Sequence, residues 1–286
     1  MPSLIDIRRR IRSVKNTQQI TKAMKMVSAA KLRRAQDRVI AARPYGSLLR
    51  KVLADVAAAV ATEEQSALDP LLARRPENRI LLAVITSDKG LAGAFNSNLI
   101  KAAQHFLADH REASVSLQLL GRKGRDFFRK RGVTIAGEHL GLAAKVKFAD
   151  LAGIARQAME AYRNEEIDAV YVIYNEFKNV AAQKLTVSRV LPMELPAEAE
   201  PVDYIFEQPP AAMLAALVPK YVEMEFYRAQ LESAAAEHAA RMTAMDAATS
   251  NAGEMIDKLT LYMNRVRQAS ITKEIIEVVS GAAAAE

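Results

Sequence analysis

The chain is 286 residues long, half hydrophobic but only 6% aromatic, and it contains neither cysteine nor tryptophan. Lack of cysteine excludes disulfides, thiolate metal sites and cysteine nucleophiles. With no apolar run of about 18 residues, a membrane-spanning helix is excluded too. The formal charge of +7 is unevenly spread: residues 1–60 hold 14 Lys/Arg against 3 Asp/Glu, residues 61–208 hold 19 against 20, and residues 209–286 hold 7 against 10.

In chain order, the opening Met1-Pro-Ser-Leu-Ile-Asp-Ile-Arg-Arg-Arg10 has no apolar stretch of the kind a secretory signal needs, so a soluble mature chain is expected. From Ser3 to Arg43 there is neither Pro nor Gly, and strong helix formers dominate. Leu4, Ile7, Ile11 and Val14, then Ser28, Leu32, Ala35, Val39 and Ala42, recur at alternating three–four spacing. That spacing is the seam of a coiled coil. Its middle positions, Gln18, Thr21 and Lys25, are polar, and a second stripe of Ile20, Met24 and Val27 lies one step around the helix. Residues 1–60 are therefore read as an N-terminal coiled-coil helix.

Residues 61–208 have a different texture. Residues 61–78 read as an entry linker. Strands are predicted over Arg79–Thr86, Val115–Leu120, Asp168–Tyr174 and Lys184–Leu191, and helices over Asn96–His110, Gly121–Arg131 and Phe148–Asn164. Strands alternating with helices point to a small, mostly parallel α/β sheet. The five prolines of Pro192–Pro210 mark the return.

Residues 209–286 form the second terminal helix. Met242, Met245, Thr249, Ala252, Ile256, Leu259, Met263 and Val266 keep the three–four spacing, and beyond them the seam positions turn polar at Ser270, Lys273 and Glu277. A helix over 220–280 would be roughly 90 Å long at about 1.5 Å per residue and must project from a compact domain. The expected fold class is thus α/β: a central α/β domain plus a long antiparallel coiled coil of the N- and C-terminal helices. Setting residue 57 beside 208 at the domain places 24 beside 241 and leaves about 25 C-terminal residues unaccompanied. A lone helix with that many apolar side chains needs a sleeve made by another protein.

Chemical candidates are few. The loop Thr86-Ser-Asp-Lys-Gly-Leu-Ala-Gly-Ala-Phe-Asn96 follows a strand and opens a helix, as many nucleotide sites do. It matches neither glycine fingerprint for phosphate, because Lys89 precedes Gly90 and Gly93 instead of following them. A structural or protein-contact turn is the stronger reading. His105, His110, His139 and His238 have no metal spacing, and Glu165, Glu166 and Asp168 read as solvation of a turn. No metal, cofactor or catalytic residue is expected. The basic run Arg8, Arg9, Arg10, Arg12, Lys15, Lys22, Lys25, Lys31, Arg33, Arg34 and Arg38 could neutralise phosphates or face an acidic protein. With no aromatic residue before Tyr45, base stacking has no basis there, and composition alone leaves the alternatives open.

Three segments resemble the γ subunits of F-type ATP synthase: Ile271-Thr-Lys-Glu-Ile-Ile-Glu-Val-Val-Ser-Gly-Ala-Ala284, Arg12-Ser-Val-Lys-Asn-Thr-Gln-Gln-Ile-Thr-Lys-Ala-Met-Lys-Met-Val27 and the glycine loop, where Ala92 replaces the family's usual cysteine. The resemblance covers essentially the whole chain. It implies a Rossmann-like central domain without nucleotide and a non-catalytic central-stalk rotor, coupling proton-driven rotation of the c-ring to conformational cycling of the catalytic β subunits. Implied partners are three α and three β subunits, an ε subunit and the c-ring, not nucleic acid, with membrane contact only through the c-ring. Met24, Arg241, Arg267, Gln268, Thr272 and Glu274 match the family's contacts with β, and Tyr204 and Glu207 its contacts with the c-ring. The basic run then meets acidic β surfaces. A cysteine-free chain cannot carry the chloroplast thiol switch, and the expected setting is the cytoplasmic side of a bacterial inner membrane.

Overall fold

The computed structural model describes residues 3–61, 69–193 and 208–283. Its elements are α1 (Leu4–Ala61), β1 (Arg79–Ile85), α2 (Phe95–Asp109), β2 (Ser114–Leu120), α3 (Arg122–Phe128), β3 (Ile135–His139), α4 (Phe148–Arg163), β4 (Ala169–Phe177), β5 (Gln183–Leu191) and α5 (Pro210–Ala283). The chain divides into two compact units, residues 29–240 and residues 1–28 with 241–286.

The larger unit is built on a five-stranded sheet of order β3-β2-β1-β4-β5, parallel except for β5. β1 is buried at six of its seven positions, so its side chains feed cores on both faces. Leu81, Ala83 and Ile85 share one core with Leu49, Leu53 and Val56 of α1, Leu151, Ile154 and Ala155 of α4, and Leu214, Val218 and Val222 of α5. The alternate residues Ile80, Leu82 and Val84 point the other way, where α2 buries Leu99, Ala103 and Phe106 and α3 buries Phe128.

Both long helices carry an internal proline. α1 continues through Pro44, which is exposed, so the backbone acceptor it strands can turn to water. α5 starts at Pro210 and contains Pro219 in its first turns. The basic helix is shorter than expected, Arg122–Phe128, and β3 is an addition to the predicted strands. It is a short edge strand with a glycine at its centre. A Cβ at Gly137 would stand 2.7 Å from Gln118 Oε1, so the Gln118 amide would have to move to admit one.

Asp168 is not a solvated turn residue, as expected from its neighbours Glu165 and Glu166. It is buried, accepting bonds from the Arg79 backbone N–H at 2.9 Å, Nε at 3.2 Å and Nη2 at 2.8 Å, so it ties the start of β4 to that of β1. Those bonds from Arg79 hold its carboxyl below the usual range, against the opposing effect of burial.

Two outcomes test this packing. Gly121 sits at φ +106°, a region open to glycine alone, and a Cβ there would lie 2.1 Å from the Thr86 carbonyl oxygen. Gly121→Ala is expected to cost at least about 3 kcal/mol in urea denaturation, whereas Gly132→Ala, at φ +65° in open space, costs about 1 kcal/mol. For Asp168 the depressed pKa means a contribution present above the unfolded value of about 3.9 and lost as pH falls through the folded one. Asp168→Asn should cost about 2 kcal/mol at neutral pH, with the gap closing as denaturation is repeated at progressively more acid pH.

Candidate interaction surfaces

The glycine loop is wired inward. Ser87 N–H donates to Asn96 Oδ1 at 3.0 Å, and Asn96 Nδ2 returns a bond to Ser87 Oγ at 2.8 Å, closing the loop on the first turn of α2. Asp88 accepts from the Arg122 N–H and the Gly141 N–H, both at 3.1 Å, which joins the loop to α3 and to the segment after β3. Thr86 Oγ1 accepts from Gly124 N–H at 2.9 Å and donates to Leu120 O at 3.2 Å. Oxygens that could have coordinated or oriented a nucleotide thus satisfy the protein's own backbone.

In a doubly wound sheet a ligand binds beyond the carboxyl ends of the strands, where the strand order reverses. Here that point lies between β1 and β4, and α5 fills it. Every residue from Ala229 to Glu237 is buried, four of them alanine. Ser233 Oγ donates to the carbonyl of Ile85, the last residue of β1, at 3.4 Å. Glu232 Oε2 accepts from the N–H of Phe177, the last residue of β4, at 3.0 Å. Its other oxygen takes Arg43 of α1 at 3.2 Å, and Arg43 also donates to the Phe177 carbonyl at 3.2 Å. Nearby, Arg228 lies 2.6 Å from Glu225 and over the Tyr174 ring. Burial works to lower the Arg228 pKa, but Glu225 outweighs it and holds the guanidinium charged. None of this junction stood out in the sequence; the only trace was the density of alanine around residue 235.

The smaller unit is an antiparallel helix pair. Ile7, Thr21 and Ser28 on α1, with Met245 and Ala252 on α5, are its buried seam residues. Thr21 Oγ1 donates to Gln18 O at 3.0 Å and lies 2.8 Å from Thr249 Oγ1, whose single proton is shared between Thr21 and Met245 O at 2.7 Å. Gln18 Nε2 reaches the Thr249 carbonyl at 3.4 Å, and Lys25 pairs with Asp246 at 2.5 Å. These contacts correct the expected register. Lys25 faces Asp246 and Thr21 faces Thr249, so Met24 stands near residue 247, not beside Arg241. The inferred anchor of 57 with 208 falls short of the helix ends, because α1 runs to Ala61 and α5 starts at Pro210.

Of the residues singled out in the sequence, Met24 is half-buried, Arg241 is buried, and Arg267, Gln268, Thr272 and Glu274 are exposed. Thr272 Oγ1 donates to Gln268 O at 2.9 Å, and Ser270 Oγ donates to Glu274 at 3.2 Å, so the terminal turns carry their own side-chain bonds. Tyr204 and Glu207 lie outside the described residues. The basic run of α1 is exposed except for Lys25. Ile20 and Val27 are also exposed, at 60% and 56%, and from Ile271 to Ser280 every residue is exposed. Among the described residues no group of three metal-ligating side chains assembles, and no helix is long and apolar enough to cross a membrane.

A sequence profile described as ATP synthase matches residues 3–285. The ATP synthase γ chain of Solibacter usitatus is 78% identical over 286 residues, covering all of both chains. That of Pelotomaculum thermopropionicum is 52% identical over 289 residues, again covering all of both. The chain belongs to the ATP synthase γ-chain family. Among solved structures, a chain from the Euglena gracilis mitochondrial ATP synthase matches with a TM-score of 0.66 at 19% identity, covering 98% of this chain and 94% of that one. A chain from the central stalk and c-ring of the Tetrahymena thermophila mitochondrial ATP synthase gives 0.62 at 27% identity, covering 80% and 99%. The γ chain is a non-catalytic central-stalk subunit of a rotary ATP synthase, the catalytic sites being on β, and a peripheral part of the membrane complex.

The shared bond of the polar layer can be measured. Thr21→Val and Thr249→Val should each cost about 1 kcal/mol in urea denaturation, and the double variant no more than either single one, since one lost bond is counted once. Additive costs would mean that the two hydroxyls act independently.

Proposed function

We propose that this chain is the rotor of a bacterial F-type ATP synthase, working on the cytoplasmic side of the inner membrane. Its helix pair stands within a ring of three α and three β subunits, and its α/β unit meets the ε subunit and the c-ring. Rotation changes which face of the helix pair each β subunit meets. Conformations of β that differ in contact energy with that face differ in population, so turning the rotor shifts nucleotide affinity around the ring, and hydrolysis drives the reverse rotation.

The observation that carries this reading is the terminal stretch of α5. Ile271, Ile275, Ile276, Val278 and Val279 are 49–72% exposed on a helix whose seam partners have run out. Such a surface calls for a sleeve, which the ring provides. Arg267, Gln268, Thr272 and Glu274 line the same stretch as contacts with β, and Met24 faces β from α1. Arg241, buried in this chain, is proposed with them as a residue of the same interface. Tyr204 and Glu207 are proposed as the grip on the c-ring.

Co-expression with α and β subunits of a close relative tests it. The chain should co-purify as a complex of three α, three β and one γ with ATPase activity. Arg267→Leu and Gln268→Leu should each lower that activity about tenfold while leaving the helix content of the free chain unchanged, as expected for exposed interface residues. A chain that stays monomeric beside α and β would refute the assignment.

A further inference from the structure

We propose that Glu232 is a positioning residue for energy coupling, a pin that fixes the axial register and the azimuth of α5 against the sheet of the larger unit.

The surroundings of Glu232 on α5 are rich in small side chains. Ala229, Ala234, Ala235, Ala236 and Ala239 are buried, with Leu231 among them and Met224 and Phe226 before them. A slide of four residues would put alanine in place of alanine at 235 and 236, and serine and histidine in place of 229 and 234. Packing of such small side chains separates neighbouring registers less sharply than interlocking side chains of unequal size would.

Polar contacts sharpen the choice, and Glu232 makes a demanding set. Its side chain is 3% exposed, and it joins three elements: α5 itself, the Phe177 N–H at the end of β4 and the Arg43 guanidinium on α1. Shifting α5 by one turn, about 5.4 Å, or rotating it by one residue would leave a buried carboxylate without partners. That state is costly, while the paired state adds little over a well-packed leucine. The asymmetry makes the pin a specifier of geometry more than a source of stability. Glu223 with Arg156 at 2.6 Å, and Glu225 with Arg50 at 3.6 Å, hold the same helix to α4 and α1 through carboxylates that are 10% and 11% exposed, against 3% for Glu232.

A rotor transmits torque only if its helices do not creep or twist against the body that is driven. The inference rests on the rotor reading, and the test is run on the assembled enzyme in membrane vesicles, so a wild-type chain that couples normally upholds that reading whatever the variants do. Glu232→Leu should assemble and hydrolyse ATP at the wild-type rate, with a modestly lowered thermal midpoint because the buried Phe177 N–H loses its acceptor. Protons pumped per ATP should fall about twofold, and angular fluctuations of a bead attached to the α/β unit of a stalled complex should widen about twofold. Glu232→Gln, which keeps an acceptor for the Phe177 N–H, should restore most of both. Wild-type coupling and fluctuation width in Glu232→Leu would overturn the proposal, as would an equal coupling loss in Gly132→Ala, which lowers stability without touching the pin. Should Glu232→Leu fail to assemble, Arg43→Gln decides, because its side chain is 52% exposed and can be exchanged without opening the core; unchanged coupling there overturns the pin.

Discussion

Between the carboxyl ends of β1 and β4 lies the position that most depends on a single choice of side chains. Parallel strands leave backbone donors and acceptors at their ends, and where the strand order reverses two such ends open a crevice. In this chain nine consecutive buried residues of α5 close it, with Ser233 meeting the end of β1 and Glu232 that of β4. Small side chains are what allow the helix to come so near, because alanine brings the helix backbone within reach of the strand ends. The sheet then serves as an anchor for a helix, and its glycine loop is free to spend its polar groups on α2, α3 and the turn after β3. Asp88 illustrates the change: a carboxylate in that loop accepts two backbone N–H groups that a bound phosphate would otherwise compete for.

The smaller unit obeys a different constraint. Its seam has the three–four spacing of a coiled coil but contains few large apolar residues. Threonine, serine, glutamine and glycine occupy positions where leucine would give more burial. A seam of this kind trades stability for a fixed register, since Thr21 and Thr249 meet only in one alignment. Gly253 contributes by space: a Cβ there would sit 3.2 Å from Gln18 Nε2, so the amide that reaches the Thr249 carbonyl would have to move. Past Ser270 the seam is gone while Ile271, Ile275, Ile276, Val278 and Val279 remain exposed. Each leaves about 1.5–3 kcal/mol of burial unrealised, so the five together offer a partner on the order of 10 kcal/mol before the costs of association.

Period and texture made the main elements legible. The heptad spacing of Leu4 to Ala42 and of Met242 to Val266 foretold both helices and the end of their pairing, because a seam depends on residues a few positions apart. Buried strands such as Ile80–Ile85 and Ala169–Tyr174 announced themselves as apolar runs. What stayed hidden depends on partners distant in sequence. β3 has one strongly apolar residue and a central glycine, so nothing local marks it as a strand; its place is set by Gln118 on the neighbouring strand. Asp168 beside two exposed glutamates looked like turn chemistry until Arg79, 89 residues away, supplied its partner. The register slipped for a related reason. It was measured from the ends of linkers, whereas polar pairs inside the seam set it.

Electrostatic asymmetry follows from the same pairing. In the smaller unit, residues 1–28 hold seven Lys/Arg against one Asp/Glu, while residues 241–286 hold five against six. Two helices side by side with such different charge cannot look the same from opposite directions. A surrounding subunit would meet a strongly positive surface at one angle and a nearly neutral one at another, with Ile20 and Val27 exposed on the positive helix. Potentials of this kind discriminate between partner surfaces more than they add net affinity. That is the property a rotor needs. Tight binding at every angle would lock it, and equal binding at every angle would leave the conformations of its neighbours unbiased. An unequal, mostly solvent-screened charge pattern on a rigidly registered pair supplies angle-dependent bias with shallow wells, and the register comes from contacts inside the pair, in the threonine layer.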